Sequence, residues 1–152
     1  MKSKCVLLAE DDENDVLFLQ RAFRQAAITT PLQVTRDGQE VIDYLAGSGR
    51  YTDREQYPLP CLVMLDLKMP RKNGMEALEW IRGQEALQAL PVIIFSSSVH
   101  PEEIDKAYRL GANAFLTKPS GVKERVEMAR RIKTSWLGLV TAFLGFGAGF
   151  GR

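Results

Sequence analysis

The chain has 152 residues, a formal net charge of +1 and 26% charged residues. This length fits one domain with a full hydrophobic core, and the near-neutral charge gives no global field that would attract nucleic acid or a membrane surface. With one histidine and no CxxC spacing a zinc site is implausible, and the two cysteines are predicted to be buried and reduced. Only five apolar residues follow the N-terminus before an acid, too few for a signal peptide or membrane span, so we predict a soluble, cytoplasmic protein.

Four continuous apolar runs each end on a polar or charged residue. They are Cys5–Ala9 before Glu10, Cys61–Leu65 before Asp66, Val92–Phe95 before Ser96, and Ala114–Thr117 before Lys118. Continuous runs of this kind are typical of parallel strands that are covered on both faces. Because open α/β sheets bind their ligands at the carboxyl edge, we predict that these acids, the hydroxyl and the lysine converge on one crevice.

Five segments with helical spacing of apolar residues lie between and after these runs. They begin after Asp12, after Asp37-Gly38, after Asn73-Gly74, at Pro101 and at Val122. The weaker run Leu32–Thr35 supplies a further strand. The sequence therefore predicts an α/β fold with a doubly wound five-stranded parallel sheet and five helices, for which the flavodoxin-like order 2-1-3-4-5 is the natural solution.

Two stretches fall outside the regular pattern. Residues 46–60 contain Gly47-Ser48-Gly49 and two prolines, and we expect a long surface loop that is either a binding loop or an insertion. Residues 138–152 alternate glycine with apolar residues; this tail either frays or covers an apolar patch. We therefore divide the chain into a domain at 1–137 and a short Gly/Phe-rich tail at 138–152, with no effector domain.

The motifs at the strand ends resemble the receiver domain of bacterial response regulators. They are Leu7–Asp12, Val63–Pro70 with Asn73-Gly74, Ile94–Ser97, and Phe115–Pro119, and the resemblance spans about residues 4 to 136. Loop 46–60, Asn14-Asp15-Val16 and Thr134–Leu137 are similar to features of the small regulators that pair with phytochrome-type kinases.

The resemblance implies a phosphoacceptor aspartate and a bound Mg²⁺. Asp66 would be the nucleophile, and Mg²⁺ would be bound by Asp11, Asp66 and the backbone carbonyl of Lys68, with Glu10 acting through a metal-bound water. The chemistry agrees, because a carboxylate and a phosphoryl group repel each other unless a divalent cation bridges them. Asp12, third in the acidic run, is interpreted as a helix-start residue.

The resemblance also implies groups that contact the phosphoryl oxygens. Lys118 would supply a positive charge, and Ser96 would donate its hydroxyl, with Ser97 and Ser98 as close alternatives. Ser96 and Phe115 would form the conformational switch, although Phe115 could equally be a core residue. Whether the Lys118–Pro119 peptide is cis or trans stays open.

The predicted function is that of a single-domain response regulator in a two-component phosphorelay. It would accept a phosphoryl group on Asp66 from a sensor histidine kinase and signal by protein–protein contact. The resemblance implies a kinase of the phytochrome type and a homodimer through helix 4, strand 5 and helix 5. It would catalyse only its own phosphorylation and dephosphorylation. A receiver-like scaffold is the alternative; a Mg²⁺-dependent phosphatase is disfavoured because Lys68 stands where such enzymes carry a general acid. The basic last helix is interpreted as a solvated face rather than as a nucleic-acid site.

Overall fold

A computed structural model of the chain describes residues 4–98 and 100–138. The strands are β1 (Val6–Ala9), β2 (Leu32–Thr35), β3 (Leu62–Leu65), β4 (Val92–Ser96) and β5 (Ala114–Thr117). The α-helices are α1 (Glu13–Gln25), α2 (Gly38–Ala46), α3 (Gly74–Arg82), α4 (Pro101–Arg109) and α5 (Val122–Ile132). All neighbouring strands pair in parallel in the order β2-β1-β3-β4-β5, which confirms the predicted doubly wound sheet.

The helices cover the sheet on both faces. On one face α1 and α5 pack over alternate residues of the strands, such as Leu8 and Met64. On the other face α2, α3 and α4 pack over the intervening residues, such as Leu7 and Val63. Every residue of β1, β3 and β4 is buried, whereas β2 and β5 at the two edges are half-buried, which explains why the middle strands are continuously apolar.

Side-chain caps fix the beginnings of three helices beside the carboxyl edge of the sheet. The Asp12 carboxylate accepts hydrogen bonds from the backbone N–H groups of Asn14 and Asp15 at the start of α1, as the interpretation of Asp12 as a helix-start residue requires. Asp37 caps α2 in the same way, and Asn73 forms a capping box with Glu76 at the start of α3. These caps determine where each βα loop ends and therefore where its side chains lie.

The predicted surface loop 46–60 is more tightly packed than the sequence indicated. Ala46 is the last residue of α2, a 3₁₀ turn spans Gly49–Tyr51, and Tyr51 is buried against Tyr44 with ring centroids 5.0 Å apart. Arg54 donates hydrogen bonds to the carbonyl oxygens of Tyr44 and Leu45 at 2.8 and 2.9 Å. Most of the segment is exposed, as a surface loop would be, but Tyr51, Pro58 and Pro60 are buried and anchor it to the core.

The helix α5 continues beyond Ile132, and neither cysteine forms a disulfide. One π-helical turn, Lys133–Gly138, continues α5, and the rest of the predicted tail, 139–152, lies outside the described residues. Both cysteines are free thiols; Cys5 is buried as predicted, whereas Cys61 is only half-buried. Within residues 4–98 and 100–138, no helix has the length and hydropathy needed to cross a membrane.

Candidate functional site

The strand register brings the predicted site residues to one edge of the sheet. The backbone N–H of Asp66 donates to the carbonyl of Ala9 at 3.1 Å, so that the residues following β1 and β3 lie side by side. On the other half of the sheet, Ser96 pairs with Thr117, and the N–H of Lys118 donates to the carbonyl of Ser96 at 2.9 Å. The convergence predicted from four separate runs is thus produced by parallel pairing alone.

Three carboxylates at this edge form a cluster with the composition of a hard-cation site. One carboxylate oxygen each of Glu10, Asp11 and Asp66 lies within 4.8 Å of the other two. Glu10 and Asp66 are buried and Asp11 is exposed, so the cluster opens towards solvent on one side. Oxygen ligands that leave positions for water are what Mg²⁺ prefers. The donor set therefore fits a divalent cation.

Glu10 carries the most perturbed carboxyl group of the cluster. Its Oε1 is buried and makes no well-oriented hydrogen bond, although Lys118 Nζ lies 2.6 Å away. Burial raises the pKa of Glu10 to about 7, the contact with Lys118 opposes that rise, and the charge of Asp66 adds to it. A buried carboxylate of this kind is stabilised in its charged form by a nearby cation, as the predicted role of Glu10 at a metal site requires.

Lys118 lies among three carboxylates. Its Nζ is 2.8 Å from Asp66 Oδ2, 2.8 Å from Asp15 Oδ2 and 2.6 Å from Glu10 Oε1. Burial alone would lower the pKa of Lys118, but the three carboxylates outweigh it and raise the pKa above the usual value. The lysine therefore carries a permanent positive charge beside the predicted phosphoacceptor. The Lys118–Pro119 peptide bond is trans.

Asp15 is a site residue that the sequence interpretation missed. Its position in the first turn of α1 marked it as a charge that favours the helix N-terminus, and that role is real because the turn begins at the Asp12 cap. Only the crossing of α1 over the sheet edge reveals the second role, the contact with Lys118, which lies 103 positions away in sequence. The Asn14-Asp15-Val16 motif was the one signal that could have identified it.

The loop between β3 and α3 is held close to the backbone of Asp66. A Cβ atom on Gly74 would collide with the carbonyl oxygen of Asp66, which explains the glycine of the Asn73-Gly74 motif. The N–H of Lys68 donates to Asp66 Oδ1 at 3.3 Å and orients that carboxylate. The same loop is tied to the start of α2, because Arg71 donates to both carboxylate oxygens of Asp37 at 2.9 and 3.2 Å.

The three consecutive serines differ in their surroundings. Ser96 ends β4 and is fully buried at the site edge, Ser97 is exposed, and Ser98 donates a hydrogen bond to the Glu103 carboxylate in the first turn of α4. Ser98 is therefore engaged in joining the loop to α4. Of the three, Ser96 is placed at the strand end as the prediction requires.

Phe115 lies on the outer part of the sheet. It is half-buried against the core, and its backbone N–H donates to the Tyr108 hydroxyl of α4 at 3.1 Å. A surface depression of about 550 Å³ lies alongside, between β5 and α5, and it is lined by Phe115, Thr117, Lys123, Met128 and Arg131, among others. The edge strand and its two flanking helices thus form a partly open face next to Lys118.

The fold and the site define a class of protein. A doubly wound sheet with an acidic cluster at β1 and β3, and a lysine after β5, has the arrangement of a phosphoacceptor domain. The sequence model described as "Response regulator receiver domain" matches residues 6–130. The chain belongs to this family.

Individual relatives define the branch of the family more closely. The chain is 33% identical to response regulator Rcp1 of Synechocystis sp. over 138 residues, which cover 91% of this chain and 92% of that protein. A phosphorylated cyanobacterial phytochrome response regulator, RcpA, superposes with a TM-score of 0.81 at 30% identity, covering 89% of this chain and 94% of that one. A Mn²⁺-bound form of Rcp1 superposes with a TM-score of 0.78 at 32% identity, covering 88% and 94%. The protein is therefore a two-component response regulator receiver domain, homologous to single-domain phytochrome response regulators.

Proposed function

We propose that Asp66 accepts a phosphoryl group from the phosphohistidine of a sensor histidine kinase. The observation that carries the proposal is the position of the Lys118 ammonium, 2.8 Å from Asp66 Oδ2. Asp66 has only 8% of its side chain exposed, so that its surroundings are largely free of bulk water. A fixed cation in such a place stabilises the charge that accumulates on a transferring phosphoryl group.

A divalent cation would be held by Asp11, Asp66 and the backbone carbonyl of Lys68, with Glu10 acting through a metal-bound water. The cluster of the Glu10, Asp11 and Asp66 carboxylates supports this set, and the Mn²⁺-bound form of the relative Rcp1 supports a divalent ion. Mg²⁺ is the physiological choice because the ligands are hard oxygens and the cluster is open to water. When bound, it supplies charge neutralisation between the carboxylates and the incoming phosphoryl group.

The transfer itself is a displacement at phosphorus. An oxygen of the Asp66 carboxylate forms the new P–O bond while the P–N bond to the donor imidazole breaks, and the electron pair of that bond returns to the ring nitrogen. Lys118 and the hydroxyl of Ser96 contact the phosphoryl oxygens, and the N–H of Lys68 keeps Asp66 oriented. The domain thus catalyses only its own phosphorylation and dephosphorylation, since its nucleophile is consumed in each cycle.

The kinase partner is of the phytochrome type. Two relatives support this choice: RcpA is a cyanobacterial phytochrome response regulator, and a response regulator of R. palustris, to which the chain is 38% identical with a TM-score of 0.83, acts in red light signalling. We place the output on α4, β5 and α5, where a homodimer can form, and the switch on Ser96 at the end of β4 and Phe115 in β5. The half-buried edge strand beside an open depression supports this surface.

Phosphorylation by acetyl phosphate tests the proposal. The full chain is incubated with acetyl phosphate and Mg²⁺, and the intact mass is followed by mass spectrometry for wild type, for Asp66→Asn and for wild type with a chelator. We expect one added phosphoryl group in wild type and none in the other two samples. Absence of any gain in folded wild type, followed by absence of transfer from a phosphorylated phytochrome-type kinase, would contradict the proposal and favour a scaffold.

A further inference from the structure

Asp15 is a fourth carboxylate at the site, beyond the three that are proposed to act at the divalent cation. Glu10, Asp11 and Asp66 account for the predicted cation, and Asp15 does not belong to that cluster. Its carboxylate is nevertheless 2.8 Å from Lys118 Nζ, with the geometry of a hydrogen bond. A carboxylate this close to Lys118 competes with the phosphoryl oxygens that Lys118 is proposed to contact.

The ammonium group of Lys118 is surrounded by carboxylate oxygens. It donates hydrogen bonds to Asp15 and Asp66, and its Nζ also lies 2.6 Å from Glu10 Oε1, a contact without hydrogen-bond geometry. A phosphoryl oxygen that binds Lys118 therefore competes with these oxygens for the ammonium group. The three acids differ in how readily they can give way.

Burial determines which acid gives way. The side chains of Glu10 and Asp66 are 1% and 8% exposed, whereas that of Asp15 is 31% exposed. Glu10 and Asp66 are buried away from water and belong to the set proposed to hold the divalent cation, whereas Asp15 lies outside that set and can exchange Lys118 for water. Asp15 also keeps a favourable position without Lys118, because it lies in the first turn of α1.

We infer that Asp15 is an exchangeable anionic partner of Lys118, which holds the ammonium in place in the unphosphorylated protein and is displaced by the phosphoryl group. This inference rests on the proposed function of Asp66. Asp15 is a positioning residue, since it acts only through Lys118. By competing with the phosphoryl oxygens, it makes the phosphorylated state harder to reach than the acceptor and the cation alone would allow.

Neutralising Asp15 without changing its shape tests the inference. Initial rates of phosphorylation of the full chain are measured by intact mass over a range of acetyl phosphate concentrations at saturating Mg²⁺, for wild type, Asp15→Asn, Asp15→Glu and Glu13→Gln. Glu13 is the matched control, because it lies in the same turn and carries the same charge but pairs with Arg36. For Asp15→Asn we expect KM for acetyl phosphate to fall about three- to tenfold, the effect of losing one partly exposed ion pair, with the maximal rate changed by less than about twofold.

The other variants separate this role from a general charge effect. Glu13→Gln is expected within about twofold of wild type, and Asp15→Glu, which restores the competing charge, is expected nearer to wild type than to Asp15→Asn. Phosphorylation of Asp15→Asn alone, with wild type unreactive, would also support the inference. If wild type is phosphorylated and Asp15→Asn matches Glu13→Gln or is slower than wild type, the inference is wrong and the proposed function stands. If acetyl phosphate phosphorylates no variant, the series is repeated with a phosphorylated phytochrome-type kinase as the donor, and absence of transfer there overturns the proposed function and the inference with it.

Discussion

The central strands and the edge strand contribute to the site in different ways. β1 and β3 are buried along their whole length, and they end on Glu10 and Asp66, which are themselves buried. β5 is half-buried, its last residue is exposed, and it ends on Lys118 beside an open depression. The proposed acceptor and metal ligands thus follow fully buried strands, whereas the ammonium group of Lys118 follows a half-buried edge strand.

The difference in burial between the central strands and β5 fits a site that keeps a constant binding geometry and also drives a conformational change. The acids need a constant geometry, because a cation and a phosphoryl group must bind between them. The lysine and Phe115 lie on the strand that borders the partly open face, so a change at Lys118 reaches that face within one strand. Under the proposed function, phosphorylation would alter the face formed by α4, β5 and α5 while the acidic cluster stays in place.

The largest expected effect comes from removing matched apolar side chains in the two regions. Leu8 in β1 is fully buried, whereas Leu116 in β5 packs against the same cluster but is half-buried. We expect Leu8→Ala to lower the free energy of unfolding by about 4 kcal/mol and Leu116→Ala by about 1 to 2 kcal/mol. Urea unfolding followed by circular dichroism measures both. Equal losses would contradict the distinction between a rigid centre and a looser edge.

A pH series tests the burial of Glu10. The pKa of Glu10 is raised to about 7 in the folded state from an ordinary value of 4.5, so the folded state favours the protonated form. Without metal, the resulting stabilisation is complete below pH 4.5 and is lost as the pH rises through 7, a change of about 3 kcal/mol that Glu10→Gln abolishes.

The measurement compares urea unfolding of wild type and Glu10→Gln in a chelating buffer between pH 5 and pH 8. The difference in free energy of unfolding between the two proteins should shift in favour of Glu10→Gln as the pH rises. Mg²⁺ should reverse the trend for wild type, because it binds the carboxylate form and displaces the proton. A constant difference across the series would mean that Glu10 titrates normally.

Removing the ammonium group of Lys118, which follows the edge strand, is expected to have a smaller effect on stability. In Lys118→Met, three carboxylates lose their ammonium partner, and we expect a loss of about 2 kcal/mol at pH 8 in a chelating buffer. Since a divalent cation can replace the missing charge, Mg²⁺ should bind Lys118→Met more tightly than wild type and restore more stability to it. Isothermal titration calorimetry checks this, with Lys123→Met as a control on the neighbouring helix. Weaker Mg²⁺ binding in Lys118→Met would contradict the account.

The smallest effect concerns the pair that ties the β3–α3 loop to α2. Burial alone would raise the pKa of Asp37, but Arg71 and the backbone N–H of Glu40 lower it below the ordinary value of 3.8. The stabilisation that ionised Asp37 contributes is therefore present above pH 3.8 and is lost as the pH falls through the folded-state pKa of Asp37. Because Arg71 is 57% exposed, we expect Asp37→Asn, which keeps the helix cap, to cost at most about 1 kcal/mol at pH 7.

Unfolding of Asp37→Asn between pH 2 and pH 7 checks this prediction. The gap to wild type should close at the acid end of the series. Asp43→Asn serves as the control. Asp43 lies in α2, the helix that Asp37 caps, and its carboxylate accepts a hydrogen bond from the neutral side chain of Gln39. A gap that stays constant down to pH 2 would show that Asp37 acts through something other than its charge.

The fold could be predicted from the sequence because its signals are local. Continuous apolar runs mark buried parallel strands, and Asp12, Asp37 and Asn73 cap the helices that follow three of them. The packing of residues 47–60 was not predictable in this way. It depends on Tyr51 meeting Tyr44 of α2 and on Arg54 reaching backbone carbonyls, contacts that glycine and proline content does not reveal.

The site was predictable in part for the same reason. Glu10, Asp66 and Lys118 follow strands directly, so strand pairing alone brings them together. Asp15 lies one helical turn away from its strand, and its contact with Lys118 depends on how α1 crosses the sheet. Spacing along the chain carries no information about that crossing angle, and so the contact between Asp15 and Lys118 could not be predicted.

Locating the phosphoryl group in the sequence decides whether Asp66 is the phosphoacceptor. After reaction with acetyl phosphate and Mg²⁺, the protein is treated with sodium borohydride, which reduces an aspartyl phosphate to homoserine, and the digested peptides are sequenced by mass spectrometry. The account predicts homoserine at position 66 and at no other aspartate. Homoserine at Asp11, Asp12 or Asp15 instead, with Asp66 unmodified, would contradict the assignment of Asp66 as the acceptor and of the other acids as its supports.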